Sequence, residues 1–356
     1  MHRRLLTCSI LALASLALAA PAYACGGLLS PNGSVNLLRT TTLAAYHNGV
    51  EHYVTSFRFV GGGGAKFGSI VPLPGIPSKV ERGGDWTLQR LEREVNPPLK
   101  GVFEAAPTAL AIRGEAQVLL QTRIDALDIT VLKGGGSEVA LWAEHHGFTL
   151  PPDAPEVLDF YANRSPIFMA ASFDTKAAAR QGLSEGDGTP IHLTIPTPAP
   201  WVPLRILGLG KKSAELIQAD VFLLTDRAPA MLPAPVGLRV VDPRTRVSGL
   251  RLERSESASD LLLSDLRADK GMSWMPRHMW LSYLTVGAAA AELRYDLALD
   301  ASGAGQPSYV AAGLAIGPKN FGGAPSASPV WAVALAIGLV VASVGALAFG
   351  MHRSAN

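Results

Sequence analysis

The stretch TTLAAYHNGVEHYVTSFRFV, residues 41–60, carries the clearest fold signal in the chain. Asn48-Gly49 separates two runs rich in β-branched and aromatic residues, and this dipeptide favours tight turns whose central residues both take positive φ. After the turn, Tyr53 and Phe57 fall on one face of a strand, whereas Ser56 falls on the other. The stretch therefore predicts an antiparallel β-hairpin with an apolar face.

Further strands and helices follow the hairpin without a regular βαβ alternation. Helices are predicted at 85–95, 137–147, 153–161 and 259–269, each opened by a Ser or Asp that can cap it. Strands are predicted at 118–132, 166–173, 221–224 and 238–241, at 69–74 as an edge strand because proline cannot donate to a ladder, and as a closing hairpin at 277–286 and 292–299. This mixture predicts an α+β fold with a largely antiparallel sheet and a few short helices.

The amino terminus has the order of features found in a secretory signal. His2, Arg3 and Arg4 precede an uncharged apolar run over 5–20, and Ala22-Tyr23-Ala24 supplies small residues before a cut at Cys25. The alternative is an uncleaved anchor helix, for which the apolar run is short. We therefore predict a signal peptide over 1–24.

Residues 330–351, which begin with Val330 and end with Met351, contain no charged side chain. A helix of this length spans about 33 Å, enough for the hydrocarbon core of a bilayer, although a buried core helix is the alternative. Arg353 follows, and positive charge stays on the cytoplasmic side. We predict that residues 330–351 form a single-pass transmembrane helix, which anchors the protein in the membrane, and that residues 352–356 form a cytoplasmic tail.

The same reasoning divides the rest of the chain. Gly, Ala, Ser and Pro dominate residues 301–329, which predicts a flexible tether. Residues 25–300 then form an extracytoplasmic domain, as one body or as two subdomains. Of the 356 residues, 31 are basic and 29 acidic, and without Arg3, Arg4 and Arg353 the balance is 28 to 29. No basic cluster is present, so we predict no nucleic-acid partner.

A succession of short motifs resembles a bacterial family of uncharacterised proteins, domain of unknown function 2330. The resemblance covers roughly residues 25–224, and it implies a bacterial, exported and often C-terminally anchored protein without implying an activity or catalytic residues. The matching stretches are Cys25-Gly26-Gly27, Val71-Pro72-Leu73-Pro74, Leu141-Trp142-Ala143-Glu144-His145-His146-Gly147-Phe148, Val157-Leu158-Asp159-Phe160-Tyr161, Pro190-Ile191-His192-Leu193 and Pro203-Leu204-Arg205-Ile206-Leu207.

Cys25 is the candidate catalytic residue. Cys8 is removed with the signal, so the mature chain has one cysteine and no intrachain disulfide. As the mature N-terminal residue, Cys25 could act as a nucleophile with its own α-amine as base, form an intermolecular disulfide, or carry a lipid, although Tyr23 fits a lipid-attachment site poorly. The remaining alternative is a thiol packed in a core.

Histidines provide the weak metal candidates. His145 and His146, with His192, are residue types that bind transition metals, but adjacent histidines on a helix diverge by about 100°. No H-E-x-x-H or C-x-x-C spacing occurs, and histidines near a helix end are also favoured by its dipole. No glycine fingerprint or G-x-S-x-G motif is present, so we predict no cofactor.

The proline-rich segment around Pro198, Pro200 and Trp201 is apolar and stiff. Such a segment can present a surface to a protein partner of the envelope, or it can pack as an edge against its own sheet. Because no catalytic constellation emerges, we favour a non-enzymatic binding or structural module anchored in the bacterial envelope. The alternative is an extracytoplasmic enzyme or redox protein that uses Cys25.

Overall fold

The hairpin predicted from residues 41–60 forms as β2 (Thr40–His47) and β3 (Val50–Arg58). They pair antiparallel, and the turn between them has the expected positive φ values of 51° at Asn48 and 78° at Gly49. The structure is a computed structural model that describes residues 27–29, 40–58, 67–96, 116–182, 188–237 and 246–315. The hairpin lies inside the largest sheet rather than at its edge.

That sheet has eight strands in the order β13-β14-β15-β11-β2-β3-β9-β5. Its neighbours pair antiparallel except β11 with β2 and β13 with β14, which run parallel. The further members are β5 (Lys79–Arg82), β9 (Gly188–Pro196), β11 (Leu216–Thr225), β13 (Ala234–Val236), β14 (Arg246–Ser257) and β15 (Trp280–Ala289).

Two smaller sheets complete the β structure. A five-stranded antiparallel sheet has the order β1-β4-β8-β7-β6, and a three-stranded antiparallel sheet has the order β10-β16-β12. Their bounds are β1 (Gly27–Leu29), β4 (Phe67–Pro72), β6 (Gln117–Ile124), β7 (Leu127–Lys133), β8 (Ile167–Phe173), β10 (Trp201–Val202), β12 (Ala230–Leu232) and β16 (Leu297–Asp300).

Helices cover the sheets from two directions. The smaller core cluster lies between one face of the large sheet and two helices, α1 (Thr87–Val95) and α5 (Asp260–Ala268). The larger core cluster contains residues of α2 (Gly136–His145) and α3 (Ala154–Ala162). This larger cluster also joins the large sheet to the five-stranded sheet. A short α4 (Thr175–Arg180) follows β8. The mixed α+β prediction, with mostly antiparallel sheets and few helices, is confirmed.

Alternation along β2 and β3 explains why the large sheet needs both layers. Leu43 and Val54 face the smaller core, whereas Ala44 and Tyr53 face the larger one, and all four are buried. Successive side chains of a strand point to opposite faces. The hairpin therefore has no face left for solvent over most of its length.

The predicted caps have mixed outcomes. Ser259 caps α5 as predicted, because its hydroxyl accepts the Leu262 N–H at 3.1 Å. The prediction that Asp85 caps α1 is wrong: the Asp269 carboxylate, from a different part of the chain, accepts the backbone N–H groups of Asp85 and Trp86. Asp153 precedes α3 without capping it, because its carboxylate binds the Gly210 N–H instead.

Two strand pairings differ from the prediction. β4 is not an edge strand, because β1 and β8 flank it and Pro72 stands only at its end. β15 and β16 do not form a closing hairpin: β15 pairs with β11 and β14, and β16 pairs with β10 and β12. Alternating hydrophobicity identifies a strand but carries no information about its partner.

A buried carboxylate, Asp296, connects the last strand to the family-like central region. Its Oδ1 accepts the Tyr161 hydroxyl at 2.9 Å and the backbone N–H groups of Leu204 and Arg205 at 2.7 and 3.0 Å. Its Oδ2 accepts Arg164 Nη2 at 2.5 Å. The carboxylate is therefore compensated by a charge and by three neutral donors.

The same region holds the start of the predicted tether in place. Arg164 Nη1 also donates to the carbonyl of Ala311 at 2.7 Å, and the Asp296 N–H donates to the carbonyl of Ala312 at 3.0 Å. Ala311 and Ala312 are buried in the larger core. The described residues 301–315 are thus part of the folded unit, and their small side chains permit close packing.

Among the described residues, no helix is both long and apolar enough to cross a bilayer. The predicted signal peptide, the strand predicted at 238–241 and the predicted transmembrane segment at 330–351 all lie outside those residues. Their assignments therefore stay predictions.

Replacing the buried carboxylate should test how much the Asp296 cluster stabilises the fold. Asp296→Ala leaves the Arg164 guanidinium buried and unpaired, so we expect the free energy of unfolding to fall by about 3–5 kcal/mol. Urea unfolding followed by tryptophan fluorescence measures it. Asp265→Ala, which breaks a half-exposed pair with Arg90, is the control and should cost about 1 kcal/mol or less. Equal losses in the two variants would contradict the assignment.

Candidate functional site

The proline-rich segment leaves β9 at Pro196 and crosses to β10 against the β2–β3 turn. The Thr197 N–H donates to the carbonyl of Gly49 at 3.0 Å, and the Tyr46 hydroxyl donates to the carbonyl of Thr197 at 3.0 Å. Pro198 is exposed, whereas Pro200 and Trp201 are buried. The segment is therefore fixed to the hairpin, and only part of it reaches the surface.

A cleft of about 300 Å³ opens beside this segment. We call it the proline cleft. It brings Pro198 and Pro200 together with side chains from the hairpin end, from the chain after β11 and from the chain after β16. The lining residues are Tyr46, Asn48, Gly49, Pro198, Pro200, Asp226, Arg227, Leu299, Asp300, Ala301 and Ser302.

Carboxylates dominate the charge of the proline cleft. Asp226 pairs with His47 at 2.6 Å and is partly exposed. Asp300 accepts the backbone N–H of Ser302 at 2.8 Å and of Gln306 at 2.9 Å. Although burial opposes the change, these and other hydrogen bonds hold the pKa of Asp300 below its ordinary value. The lining thus contains two carboxylates and one guanidinium group, that of Arg227.

Glu51 lies in the core next to this cleft, opposite Tyr46 on the neighbouring strand. It is fully buried, and its Oε2 accepts the Trp201 N–H at 3.3 Å while Oε1 has no partner within the described residues. Burial raises the pKa of Glu51 to about 8 against a weaker opposing effect of the Trp201 hydrogen bond. The pKa of Tyr46 is also raised. Burial is the largest cause, and the nearby carboxyl groups of Glu51, Asp300 and Asp226 contribute in the same direction.

His192 pairs with a histidine that the sequence interpretation did not select. On the opposite face of the sheet from Glu51, His192 Nε2 lies 2.9 Å from His52 Nδ1, and the His52 ring stacks on Trp274 at 3.5 Å. Burial, then His192 and His47, lower the pKa of His52 to about 3. Burial lowers the pKa of His192 to about 4, although Glu81, at 3.4 Å, opposes this change. Both rings are therefore neutral at pH 7.

The other metal candidates lie elsewhere. His145 is exposed at the end of α2. The half-buried His146 donates its Nδ1–H to the Trp142 carbonyl at 2.7 Å and stacks on the Trp142 ring. Within the described part of the chain, no three His, Cys, Asp or Glu side chains form a group that could hold a metal ion. Cys25, the candidate nucleophile, lies outside the described residues.

Sequence reasoning missed Glu51 and His52 as buried titratable groups. Their position in the sequence was the available signal. Glu51 and His52 directly precede Tyr53 and Val54 in the same strand, and these two apolar residues point to opposite faces of the sheet. A strand buried on both faces must place any charged-type side chain in a core. What the sequence could not indicate is that Trp274 and His192 would meet His52.

Comparisons with known proteins give one family and a distant structural likeness. A family model described as an uncharacterized protein conserved in bacteria, DUF2330, matches residues 19–227. Two solved structures of baculovirus P35, one of them a mutated form after caspase cleavage, cover 74% of this chain and 99% and 95% of their own chains. Their identity is 9% and their TM-scores are 0.38 and 0.37, values that support no argument. No curated protein sequence matches.

The buried carboxyl of Glu51 should make stability depend on pH. Its folded-state pKa of about 8 exceeds the ordinary 4.5, so the unfolded chain releases a proton that the folded chain keeps, and stability falls as pH rises toward 8. The two histidines act oppositely, but only below their ordinary 6.5. Between pH 6.5 and 8, wild type should therefore lose about 1 kcal/mol per pH unit relative to Glu51→Gln, because the full slope of about 1.4 kcal/mol decreases near the folded-state pKa.

Urea unfolding at several pH values checks this difference. Glu256→Gln, which changes an exposed carboxyl, is the control and should follow wild type across the range. If Glu51→Gln and wild type run parallel from pH 6.5 to 8, Glu51 is not the neutral buried acid that the structure indicates.

Proposed function

This chain belongs to the bacterial family of uncharacterised proteins called domain of unknown function 2330, and we propose that it is an exported, membrane-anchored binding module. In this proposal the folded unit lies outside the cytoplasm, a C-terminal helix over residues 330–351 holds it to the membrane, and the proline cleft contacts a protein partner of the envelope. The proposed binding role rests on one observation, that Pro198 and Pro200 line a cleft that also contains charged side chains.

Export and anchorage are supported by the distribution of charge along the chain. The apolar run at 5–20 follows Arg3 and Arg4, and the uncharged run at 330–351 precedes Arg353. Both patterns agree with the rules for secretion and for membrane orientation. The folded unit extends at least to Ala311 and Ala312, which are buried in its larger core, and the second run begins 18 residues after Ala312 in the sequence.

The chemistry of the cleft supports a partner with a basic segment. Pro198 and Tyr46 offer apolar ring surfaces at the rim, and Asp226 and Asp300 add negative charge that exceeds the charge of Arg227. Complementary charge increases the rate and specificity of association more than it increases affinity. A segment that carries Lys or Arg between apolar side chains fits both features.

The anchored topology can be tested by cysteine labelling in the Cys25→Ser background. Ser302→Cys places a thiol on an exposed residue of the folded unit, and Ala355→Cys places one in the predicted cytoplasmic tail. With the outer barrier opened and the inner membrane intact, a membrane-impermeant maleimide should label the first variant and not the second. After lysis it should label both. Protection of Ser302→Cys when the outer barrier is open and the inner membrane is intact would overturn the proposal.

The binding role can be tested by a photoreactive amino acid in place of Asn48, which lines the cleft. Irradiation of intact membranes should join this position to a peptide that carries Lys or Arg near the crosslink, as identified by mass spectrometry. Asp226→Asn should reduce the yield several-fold, because it removes one of the two carboxylates. The matched control places the same photoreactive group at Leu261, which is 68% exposed on α5.

Two results would count against the partner proposal. One is an equal crosslinking pattern from Asn48 and Leu261, which would indicate random contacts with abundant proteins. The other is a crosslink from Asn48 to a segment without basic residues that does not respond to Asp226→Asn, which would remove the charge argument.

A further inference from the structure

A second cleft, of about 410 Å³, lies at the amino-terminal end of α3. Its walls are the first turn of α3, the loop that follows the 3₁₀ turn Arg205–Gly208, and a second 3₁₀ turn, Ala290–Glu292. It shares no lining residue with the proline cleft. We call it the arginine cleft, and its volume is within the range of small-molecule sites.

Three cationic side chains converge on the arginine cleft: Arg205, Lys211 and Arg294. The two carboxylates in the lining, Asp153 and Glu156, already have partners. Both oxygens of Asp153 accept the Gly210 N–H at 3.1 Å, and Glu156 pairs with Arg205. The lining therefore contains three cations and two carboxylates, whereas the lining of the proline cleft contains more carboxylates than cations.

Arg294 retains donors for a ligand. Its Nε donates to the carbonyl of Ala291 at 2.9 Å, whereas its two terminal nitrogens have no protein partner within the described residues. This hydrogen bond places the guanidinium beside the second 3₁₀ turn. Arg294 is exposed, so these terminal nitrogens are accessible.

Arg205 and Lys211 are held in place by their surroundings. The Arg205 guanidinium lies 4.1 Å from the centroid of the Phe160 ring, and its side chain is 16% exposed. Lys211 is 3% exposed and pairs with Glu215 at 2.9 Å. A stacked arginine is restricted in orientation but still offers unused N–H groups. Glu215 balances the charge of Lys211, so the two arginines are the groups available to a ligand.

From this arrangement we propose that the arginine cleft binds the phosphate group of a small phosphomonoester. Guanidinium groups bind phosphate oxygens through paired, charge-assisted hydrogen bonds. Two guanidinium groups, Arg205 and Arg294, line the cleft from different elements, which suits a tetrahedral dianion better than a single planar carboxylate. The phosphate can come from a soluble ester or from the headgroup of a lipid, because both present the same oxygens.

Glu156 allows a second test of the proposal, in which a substitution should strengthen phosphate binding instead of weakening it. It is 78% exposed and pairs with Arg205, so it competes with an incoming anion for that guanidinium. An exposed pair of this kind contributes little to stability. Removing its charge should therefore leave the fold intact while it frees Arg205 for phosphate.

Titration of the full chain in a neutral detergent tests the proposal by isothermal calorimetry. The soluble probes are inorganic phosphate and glycerol 3-phosphate, and the lipid probe is a nanodisc with or without phosphatidic acid. Arg294→Gln should weaken binding roughly 10- to 100-fold, as expected for losing hydrogen bonds to a charged group. Glu156→Gln should strengthen it about threefold. Arg251→Gln, which removes an exposed arginine from β14, is the matched control.

The outcomes separate the sources of phosphate and decide the proposal. Binding of the soluble esters with this order of variants supports a soluble ligand, and binding only to phosphatidic acid nanodiscs with the same order supports a lipid headgroup. Failure of every probe to bind wild type at millimolar concentration would overturn the proposal. So would binding that Arg294→Gln and Arg251→Gln weaken equally, because that would reflect the overall charge of the chain.

Discussion

Burial of the central hairpin on both faces is the constraint on which this structure depends. β2 and β3 lie in the middle of an eight-stranded sheet, with one core on each face. Polar side chains along them therefore enter a core, where burial disfavours the charged form of a titratable group. Glu51 and His52, adjacent in β3, enter opposite cores, and both are neutral at pH 7 as a result.

The second organising element is the Asp296 cluster, which joins parts of the chain that are distant in sequence. It holds the segment after β15 against α3 and against the 3₁₀ turn that starts at Arg205. Both clefts depend on this arrangement. The arginine cleft lies between α3 and the turn just before Asp296, and the proline cleft uses residues 299–302 just after it.

The two clefts differ in charge although they are built partly from neighbouring segments. The proline cleft has more carboxylates than cations, whereas the arginine cleft has more cations than carboxylates. A small difference in chain position thus produces two linings of different charge. Of the family-like stretch from Pro203 to Leu207, Arg205 lines the arginine cleft.

The sequence by itself determined the α+β class, the β2–β3 hairpin with its Asn48-Gly49 turn, the Ser259 cap and membership of the family. These features rest on local signals: turn chemistry, side-chain periodicity and the order of short motifs. Only the tertiary structure decided that Asp269 caps α1, that β15 and β16 pair with separate sheets, that His192 meets His52, and that Ala311 and Ala312 pack into the core. Each of these is a contact between distant parts of the chain, whose free energy depends on shape and burial that one-dimensional patterns do not encode.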